Sequence, residues 1–230
     1  YELAIFEAGI STVGEMENLQ KIIQPTIGIL TNIGSAHDAG FSSAEEKIKE
    51  KLKLFEDCAA VIYCEKYLTA SQTSEFRFQK ISFGESEHAF IKIRKKEKNN
   101  TTTVFEIESA QISNLKSQIS IPFTDEASIE NCLHCVVTLL YLGFSLEKIQ
   151  TKILSLRNLP MRLELKYGIN NCTIIDDSYS ADFHSLQIAL DFLKQQESKK
   201  KKTLIISEFE ESGLSEKDFI QKLKTVLQQN

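Results

Sequence analysis

Glu7 and His37 are the side chains that first suggest chemistry, because each follows a short apolar run that ends abruptly in polar and small residues. The runs are residues 3–6 and 27–30. A buried parallel strand presents functional side chains in this way at its carboxyl end. A carboxylate suits a hard cation such as Mg²⁺, whereas histidine is a less typical ligand that can act through water. The pattern alone predicts either a cation site or two ordinary strand-end residues.

A strand, a helix and a second strand would bring these two side chains together. Residues 2–9 and 27–30 are strand-like, and residues 14–23 between them carry apolar side chains at helical spacing. A crossover between parallel strands is right-handed, so both strands would end at the same edge of one sheet. We therefore expect Glu7 and the loop at residues 31–37 to share that edge.

The following elements continue a parallel sheet covered by helices. Ser42 or Ser43 can cap a helix that runs to Phe55, with acids early and bases late, as the helix dipole favours. Residues 59–64, AAVIYC, are typical of a buried strand. Strands alternating with helices in this order predict an α/β fold.

The pattern changes after residue 76, where four segments alternate apolar with polar residues. They are residues 78–84, 88–96, 101–109 and 115–123. Such alternation is typical of half-exposed antiparallel strands, and Asn99 with Asn100 favours a turn. The basic run at residues 92–98 could suggest a nucleic-acid surface. Because no aromatic platform accompanies it, a solvated strand face is the preferred interpretation.

Two helices and a proline end the first part of the chain. We predict helices at residues 125–143 and 145–156, and Pro160 marks a boundary that divides the chain into residues 1–158 and 159–230. The second part repeats the α/β pattern. Its predicted strands are residues 162–168, 170–177 and 203–207, and its predicted helices are residues 183–196 and 215–229.

The run FEAG, the run PTIGILTNIGSAHDAGF and the helix that carries Lys51 together resemble the central domain of the Mur ligases. Within that family, the sequence is most similar to ligases that add D-alanyl-D-alanine to a UDP-N-acetylmuramoyl tripeptide, in the form fused to an alanine racemase. The resemblance implies a central ATP-binding domain with a mostly parallel sheet, helices and a small antiparallel sheet. Part of a Rossmann-like carboxyl-terminal domain would follow. ATP and Mg²⁺ are the implied cofactors, and the implied reaction is amide formation through an acyl phosphate in peptidoglycan synthesis.

The resemblance assigns a metal site to three residues of the first part. Glu7 and His37 match positions that help hold Mg²⁺ at the triphosphate. Lys51 matches the lysine that takes up carbon dioxide to form a carbamate ligand for a second Mg²⁺, and the amine must first lose its proton, which partial burial encourages. The alternative is an ordinary surface lysine. The same helix holds three others: Lys47, Lys49 and Lys53.

Asn131 matches the asparagine that lies near the adenine in the resembling ligases. Ala127 and Ser128 replace the His-Asn pair that precedes it in the family. A zinc site nearby is an alternative to consider, since three possible ligands cluster on the same predicted helix. They are Cys132, His134 and Cys135. Because they offer at most three ligands on an apolar helix, core packing or placement on the helix surface is the preferred interpretation.

The second part carries the remaining nucleotide-binding candidates. Arg162 resembles the arginine of the R-x-E motif that opens the carboxyl-terminal domain, and it would reach the nucleotide phosphates and act in catalysis with His37 and Lys51. In IIDDSYSADFHSL, Asp177 would meet the ribose and Tyr179 would close over nucleotide and substrate, although Ser180 replaces the usual asparagine. The alternative is an acidic loop in which Asp182 caps the next helix, and both roles are compatible.

Composition excludes some classes of function. The 230 residues are 42% hydrophobic, and 27 basic against 32 acidic residues give a net charge of −5 with both signs interspersed. That balance provides no field for a nucleic-acid backbone. No run approaches the roughly 18 apolar residues of a membrane span, and no secretory leader is visible. The five cysteines show no framework spacing, so we expect a cytoplasmic protein with free thiols, without nucleic-acid binding or membrane insertion.

The phosphate-binding motif G-x-x-x-x-G-K-[ST] does not occur in the chain. In the resembling ligases this loop precedes the E-x-G strand, so we expect it upstream of Tyr1 in a longer protein, and the present chain alone to be inactive. Two alternatives stay open. One is another ligase of the superfamily, such as a different Mur ligase or a folylpolyglutamate synthase, and the other is a non-catalytic Mur-like binding module.

Overall fold

The computed structural model describes residues 3–34, 40–99, 101–113, 115–179, 182–196, 201–207, 209 and 214–229. The helices are α1 (Glu15–Ile23), α2 (Ala44–Lys53), α3 (Ala70–Thr73), α4 (Glu126–Tyr141), α5 (Leu146–Ile153), α6 (Phe183–Gln195) and α7 (Glu216–Gln229). The strands are β1 (Ile27–Leu30), β2 (Ala60–Cys64), β3 (Gln79–Gly84), β4 (Ile91–Lys98), β5 (Thr103–Ser109), β6 (Leu115–Ile121), β7 (Glu164–Tyr167) and β8 (Thr173–Asp176). A short 3-10 turn at Ile169–Asn171 separates the last two strands.

Six strands form one mixed sheet in the order β1-β2-β3-β4-β5-β6. β1 to β4 pair in parallel, and β4, β5 and β6 pair antiparallel. The prediction that β3 is antiparallel is therefore wrong, since Ile81 pairs with Ile62 of β2 in parallel register. Alternation reports which faces of a strand are exposed and not the direction of its neighbour. In β3 three consecutive residues, 81–83, are in fact buried.

Both faces of the sheet are covered at β2. Ala60 and Ile62 of β2 belong to a core formed with α4 and α5, whereas Val61 and Tyr63 belong to a second core formed with α1 and α2. All four side chains are buried. A strand covered on both faces needs a continuous apolar run, which is why AVIYC could be recognised as a strand from the sequence.

Three predicted helix starts are confirmed by capping bonds. In each case a side-chain oxygen accepts a hydrogen bond from a backbone N–H three residues later. The pairs are Ser43 Oγ with Glu46 N–H (3.1 Å), Asp125 Oδ1 with Ser128 N–H (2.7 Å) and Asp182 Oδ1 with Ser185 N–H (2.8 Å). Each bond satisfies one of the amides that an α-helix leaves without a partner in its first turn. Ser145 precedes α5 without a side-chain capping bond.

Two predicted strands are not formed. Residues 3–9 and 203–207 lie in no strand, and their side chains face solvent, with Ile5 87% exposed and Ile205 91% exposed. An apolar run gives strand propensity, but a strand also needs a ladder partner, and neither segment has one among the residues described here. Glu7 therefore does not follow a strand, and the predicted convergence of two strand ends is wrong at this position.

The second part contains an antiparallel pair and two helices. β7 and β8 pair with Glu164 beside Asp176, which confirms the two strands predicted around them. Helices α6 and α7 are also confirmed, and they pack through Phe183 and Phe219, whose ring centroids lie 5.2 Å apart. Phe209 lies against both rings. A domain boundary near residue 158 stays a prediction.

All five cysteines are free, which confirms the prediction of unpaired thiols. Burial raises the pKa of the Cys132 thiol to about 12, so this side chain behaves as a core residue and not as a nucleophile. Across the described ranges, no helix has the length and apolar character needed to cross a bilayer.

Candidate functional site

The segment that follows β1, residues 31–34, is held by lysines of α2. Lys51 Nζ donates a hydrogen bond to the Asn32 carbonyl at 3.0 Å, and Lys47 Nζ donates to the Gly34 carbonyl at 2.7 Å. Residues four apart lie on the same face of a helix, so both ammonium groups reach the same stretch of backbone. Of the remaining two lysines, Lys49 is exposed and Lys53 pairs with Glu50 at 2.7 Å. The helix register therefore separates Lys51 and Lys47 from the other two candidates.

Lys51 lies in a setting that favours loss of its proton. Its side chain is half-buried, and burial lowers its pKa below the ordinary lysine value. The positive charge of Lys47 lowers the pKa of Lys51 further. Both causes act against the ammonium form, because an ammonium group loses hydration on burial and is repelled by a like charge. The neutral amine is the form that reacts with carbon dioxide.

Glu50 fixes the position of α2 against α1. Its side chain is only 2% exposed, and Oε1 accepts hydrogen bonds from the N–H of Gly14 at 2.7 Å and the N–H of Met16 at 3.2 Å. These amides belong to the start of α1, where Gly14 adopts a left-handed conformation with φ of 95°. A carboxylate at a helix amino terminus also interacts favourably with the helix dipole. Helix α2 thus links α1 to the segment after β1.

His134 joins α4 to the end of β1. Its Nε2 lies 2.9 Å from the carbonyl of Leu30, and its Nδ1 lies 2.9 Å from the carbonyl of Glu130. Burial lowers the pKa of His134, whereas the two carbonyls and the charge of Glu130 oppose that shift. An N–H on Nε2 donates to the Leu30 carbonyl, which connects α4 to the end of β1.

The cluster on α4 divides between the core and the helix surface. His134 is 2% exposed and Cys132 is 3% exposed, whereas Cys135 is exposed. No group of three or more metal-ligating side chains occurs in the part of the chain that the structure describes. These positions match the predicted placement in the core or on the helix surface. Asn131, the candidate adenine contact, is exposed on the same helix, three residues before His134.

The candidates of the second part lie together. The Arg162 guanidinium lies 4.2 Å from the centroid of the Tyr179 ring, and the backbone N–H of Leu163 donates to Asp177 Oδ1 at 3.1 Å. Burial raises the pKa of Asp177, while the Leu163 amide and the charge of Arg162 lower it in part. The negative charge of nearby Asp125, the capping residue of α4, raises the pKa of Asp177 further. The loop that carries Asp177 therefore lies close to the start of the helix that carries Asn131.

The proposed metal ligands are only partly placed. Glu7 is exposed in an irregular segment, and His37 and Ser180 lie outside the described residues. A lysine ammonium cannot ligate Mg²⁺, but a carbamate on Lys51 would supply anionic oxygens, the ligand type that Mg²⁺ prefers. The half-buried position and lowered pKa of Lys51 fit that chemistry. The assignments of Glu7, His37 and Lys51 to a metal site stay predictions.

Sequence reasoning missed Glu50 and the role of His134, and it treated Lys47 only as a competitor of Lys51. A signal for two of them was present in α2. Lys47, Glu50, Lys51 and Leu54 fall on one stripe at helical spacing, and that stripe faces inward. In a helix as rich in charge as AEEKIKEKLK, charged residues on the apolar stripe are the ones to suspect of burial. Nothing local to His134 points to Leu30, which is 104 residues away.

Comparison with known proteins matches residues 1–139 to the family described as Mur ligase middle domain. Two curated relatives are both named UDP-N-acetylmuramoyl-tripeptide–D-alanyl-D-alanine ligase. The Bacillus subtilis protein is 25% identical over 222 residues, which cover 95% of this chain and 47% of the relative. The Rickettsia prowazekii protein is 31% identical over 222 residues, which cover 92% of this chain and 48% of the relative. The chain thus spans about half the length of these relatives.

A solved structure gives the same fold. The crystal structure of MurF ligase from Thermotoga maritima in complex with ADP superposes with a TM-score of 0.73 at 21% identity, and the match covers 94% of this chain and 50% of that protein. The likeness extends over both parts of the chain.

Proposed function

Because the chain belongs to the Mur ligase family, we propose that it forms most of the central nucleotide-binding domain, residues 1–158, and the first part of the carboxyl-terminal domain, residues 159–230, of an ATP-dependent ligase. The ligase would add D-alanyl-D-alanine to a UDP-N-acetylmuramoyl tripeptide, as the names of the curated relatives state for those proteins. The observation that carries the proposal is the placement of Lys51, half-buried beside the segment after β1 with a lowered pKa.

The reaction proceeds in two steps. The carboxylate of the tripeptide attacks the γ-phosphorus of ATP, which forms an acyl phosphate and releases ADP. The amine of D-alanyl-D-alanine then attacks the acyl carbon, loses a proton and displaces inorganic phosphate, which leaves the amide. Bound Mg²⁺, held by Glu7, His37 and the carbamate of Lys51, would neutralise charge that gathers on the phosphates.

Lys51 must be modified before it serves as a metal ligand. Its neutral amine attacks the carbon of carbon dioxide, a new N–C bond forms, and the proton that the nitrogen loses passes to solvent. The carbamate is anionic, so the conversion from the ammonium form through the neutral amine releases two protons in all and replaces one positive charge by one negative charge. Lys47, whose charge disfavours the ammonium form of Lys51, then favours the carbamate by attraction.

The residues of the second part act on the nucleotide. Stacking on the Tyr179 ring restricts the Arg162 guanidinium, which suits planar recognition of phosphate oxygens. Asp177 would accept a hydrogen bond from the ribose, and Asn131 would contact the adenine. Closure of this part over the central domain would exclude water from the acyl phosphate, which hydrolyses readily.

The test is phosphate release by the full-length product of the gene. Release from ATP is measured with UDP-N-acetylmuramoyl tripeptide, with and without D-alanyl-D-alanine, for the wild type, for Lys51→Ala and for the exposed control Lys49→Ala. We expect release that depends on the dipeptide, that is lost in Lys51→Ala and kept in Lys49→Ala, and that returns when a short carboxylic acid is added to Lys51→Ala.

Other outcomes separate the alternatives. Release that occurs with a different amino-acid or peptide acceptor would contradict the assigned substrate and favour another ligase of the superfamily. No release with any acceptor would favour a non-catalytic binding module. A fused alanine racemase and a cytoplasmic location stay predictions, which the full gene sequence and fractionation of cells would check.

A further inference from the structure

Alternate backbone carbonyls at the end of β1 and in the segment after it each accept a hydrogen bond from a distant side chain. The pairs are Leu30 O with His134 Nε2 (2.9 Å), Asn32 O with Lys51 Nζ (3.0 Å) and Gly34 O with Lys47 Nζ (2.7 Å). The ladder between β1 and β2 ends at the pair Leu30 and Tyr63. Beyond that point, side chains from two helices replace the neighbouring strand as donors to the backbone.

Two of these donors are not assigned to the nucleotide or to the metal in the proposed reaction, and both are buried. Lys47 is 3% exposed and His134 is 2% exposed. Burying a lysine costs free energy unless its ammonium group is well hydrogen-bonded. Lys47 also lies 5.9 Å from the centroid of the Phe41 ring, and His134 packs edge-on against Phe83 with centroids 4.8 Å apart. These contacts fix where each donor can reach.

We propose that Lys47 and His134 are positioning residues of the nucleotide site, which hold the backbone of residues 31–34 in the conformation that binds ATP. The inference rests on the proposed function for the identity of the ligand. Lys51 also donates to a carbonyl of this segment, but it is modified in the proposed reaction. A carbamate keeps a single N–H and loses the other donors of the ammonium group. Lys47 and His134 are then the donors that remain once Lys51 has become a metal ligand.

The energetic argument gives a specific kinetic signature. Without the hydrogen bonds from Lys47 and His134, residues 31–34 occupy several conformations. The apparent affinity for ATP is then the intrinsic affinity multiplied by the fraction of molecules in the conformation that binds. Saturating ATP selects the competent conformation again, so the rate at saturation changes little. A purely structural role would instead lower the amount of folded enzyme, which lowers kcat and leaves KM unchanged.

The experiment uses the full-length protein and measures KM for ATP and kcat for phosphate release. Lys47→Met and His134→Leu remove one donor each, Lys47→Arg and His134→Gln keep a donor, and Lys49→Met is the exposed control on the same helix. With bicarbonate at a concentration that keeps Lys51 carbamylated in every variant, we expect KM for ATP to rise about tenfold in each donor-removing variant, with kcat within about twofold of wild type. The donor-keeping variants should recover most of the affinity, and the control should match the wild type.

A second measurement separates this inference from the proposed function. The affinity for MgATP is measured by calorimetry without any acceptor, so it does not depend on the identity of the substrate. Weaker binding in Lys47→Met and His134→Leu but not in Lys49→Met supports the inference even if no dipeptide-dependent release is found. Equal affinity in all the variants overturns it while leaving the ligase assignment intact. Unfolding of both donor-removing variants, judged by Tm, also overturns it in favour of a purely structural role.

Discussion

The two groups of candidate residues are held in place in different ways. Around α2, Lys47 and Glu50 are buried and bond to backbone groups 13 and 36 residues away. In the second part, Tyr179 is 65% exposed, and Asp177, which accepts the Leu163 amide, is only half-buried. Buried charges bonded to the backbone fix the first group, whereas contacts that are partly open to solvent leave the second freer to move. For the proposed ligase, this difference would suit a fixed nucleotide site and an adjustable loop that closes over it.

The largest effect should come from removing the Glu50 carboxylate. Glu50→Ala leaves the amides of Gly14 and Met16 without their acceptor, so we expect the free energy of unfolding to fall by about 3 kcal/mol. Urea denaturation measures the change. The exposed Glu45→Ala on the same helix is the matched control, and it should stay within about 0.5 kcal/mol of wild type. Equal effects of the two variants would break the contrast between the fixed and the adjustable group.

A second test concerns the pH at which Lys51 takes up carbon dioxide. Because its pKa is lowered, the neutral amine forms at lower pH than for a free lysine, and carbamate should appear at Lys51 before the exposed Lys49. Lys47→Met removes one cause of the shift and should move uptake to higher pH. NMR with isotope-labelled bicarbonate over about pH 7 to about pH 9 follows the signal. Simultaneous modification of Lys51 and Lys49 would contradict the special setting of Lys51.

The smallest effect is expected in the second part. Tyr179→Leu removes the ring that stacks on Arg162, but the site is exposed, so the free energy of unfolding should change by no more than about 1 kcal/mol. Tyr179→Phe keeps the ring and should be neutral. Urea denaturation again measures the change. A loss as large as that of Glu50→Ala would mean that this loop is as firmly fixed as α2.

The success of prediction from sequence follows the range of the interactions involved. Ser43 and Asp182 could be predicted as helix caps, and residue 125 as a helix start, because the amides that these side chains bind lie three residues away. The strands at residues 3–9 and 203–207 were predicted wrongly because a ladder partner is a long-range property that an apolar run does not encode. The prediction that β3 pairs antiparallel was wrong for the same reason.

The candidate site shows the same division. A resemblance of motifs selected Lys51, and the helix register of α2 agrees with that choice, because Lys47 is the only other lysine of α2 on the same face. Glu50 and His134 could not be predicted, because their partners Gly14 and Leu30 are 36 and 104 residues away in the sequence. Their burial depends on which helices meet, and this is decided by the packing of the whole sheet.

The bond between Glu50 and the start of α1 also has a consequence for the order of folding. The first turn of α1 receives its acceptor only when a loop of 36 residues has closed and α2 has docked. Short helices are marginal by themselves, so α1 gains lasting stability late and together with α2. The two helices and β1 between them should therefore unfold and refold locally as one cooperative unit. Residues 31–34, which α2 holds through Lys47 and Lys51, should be ordered only when that unit is folded.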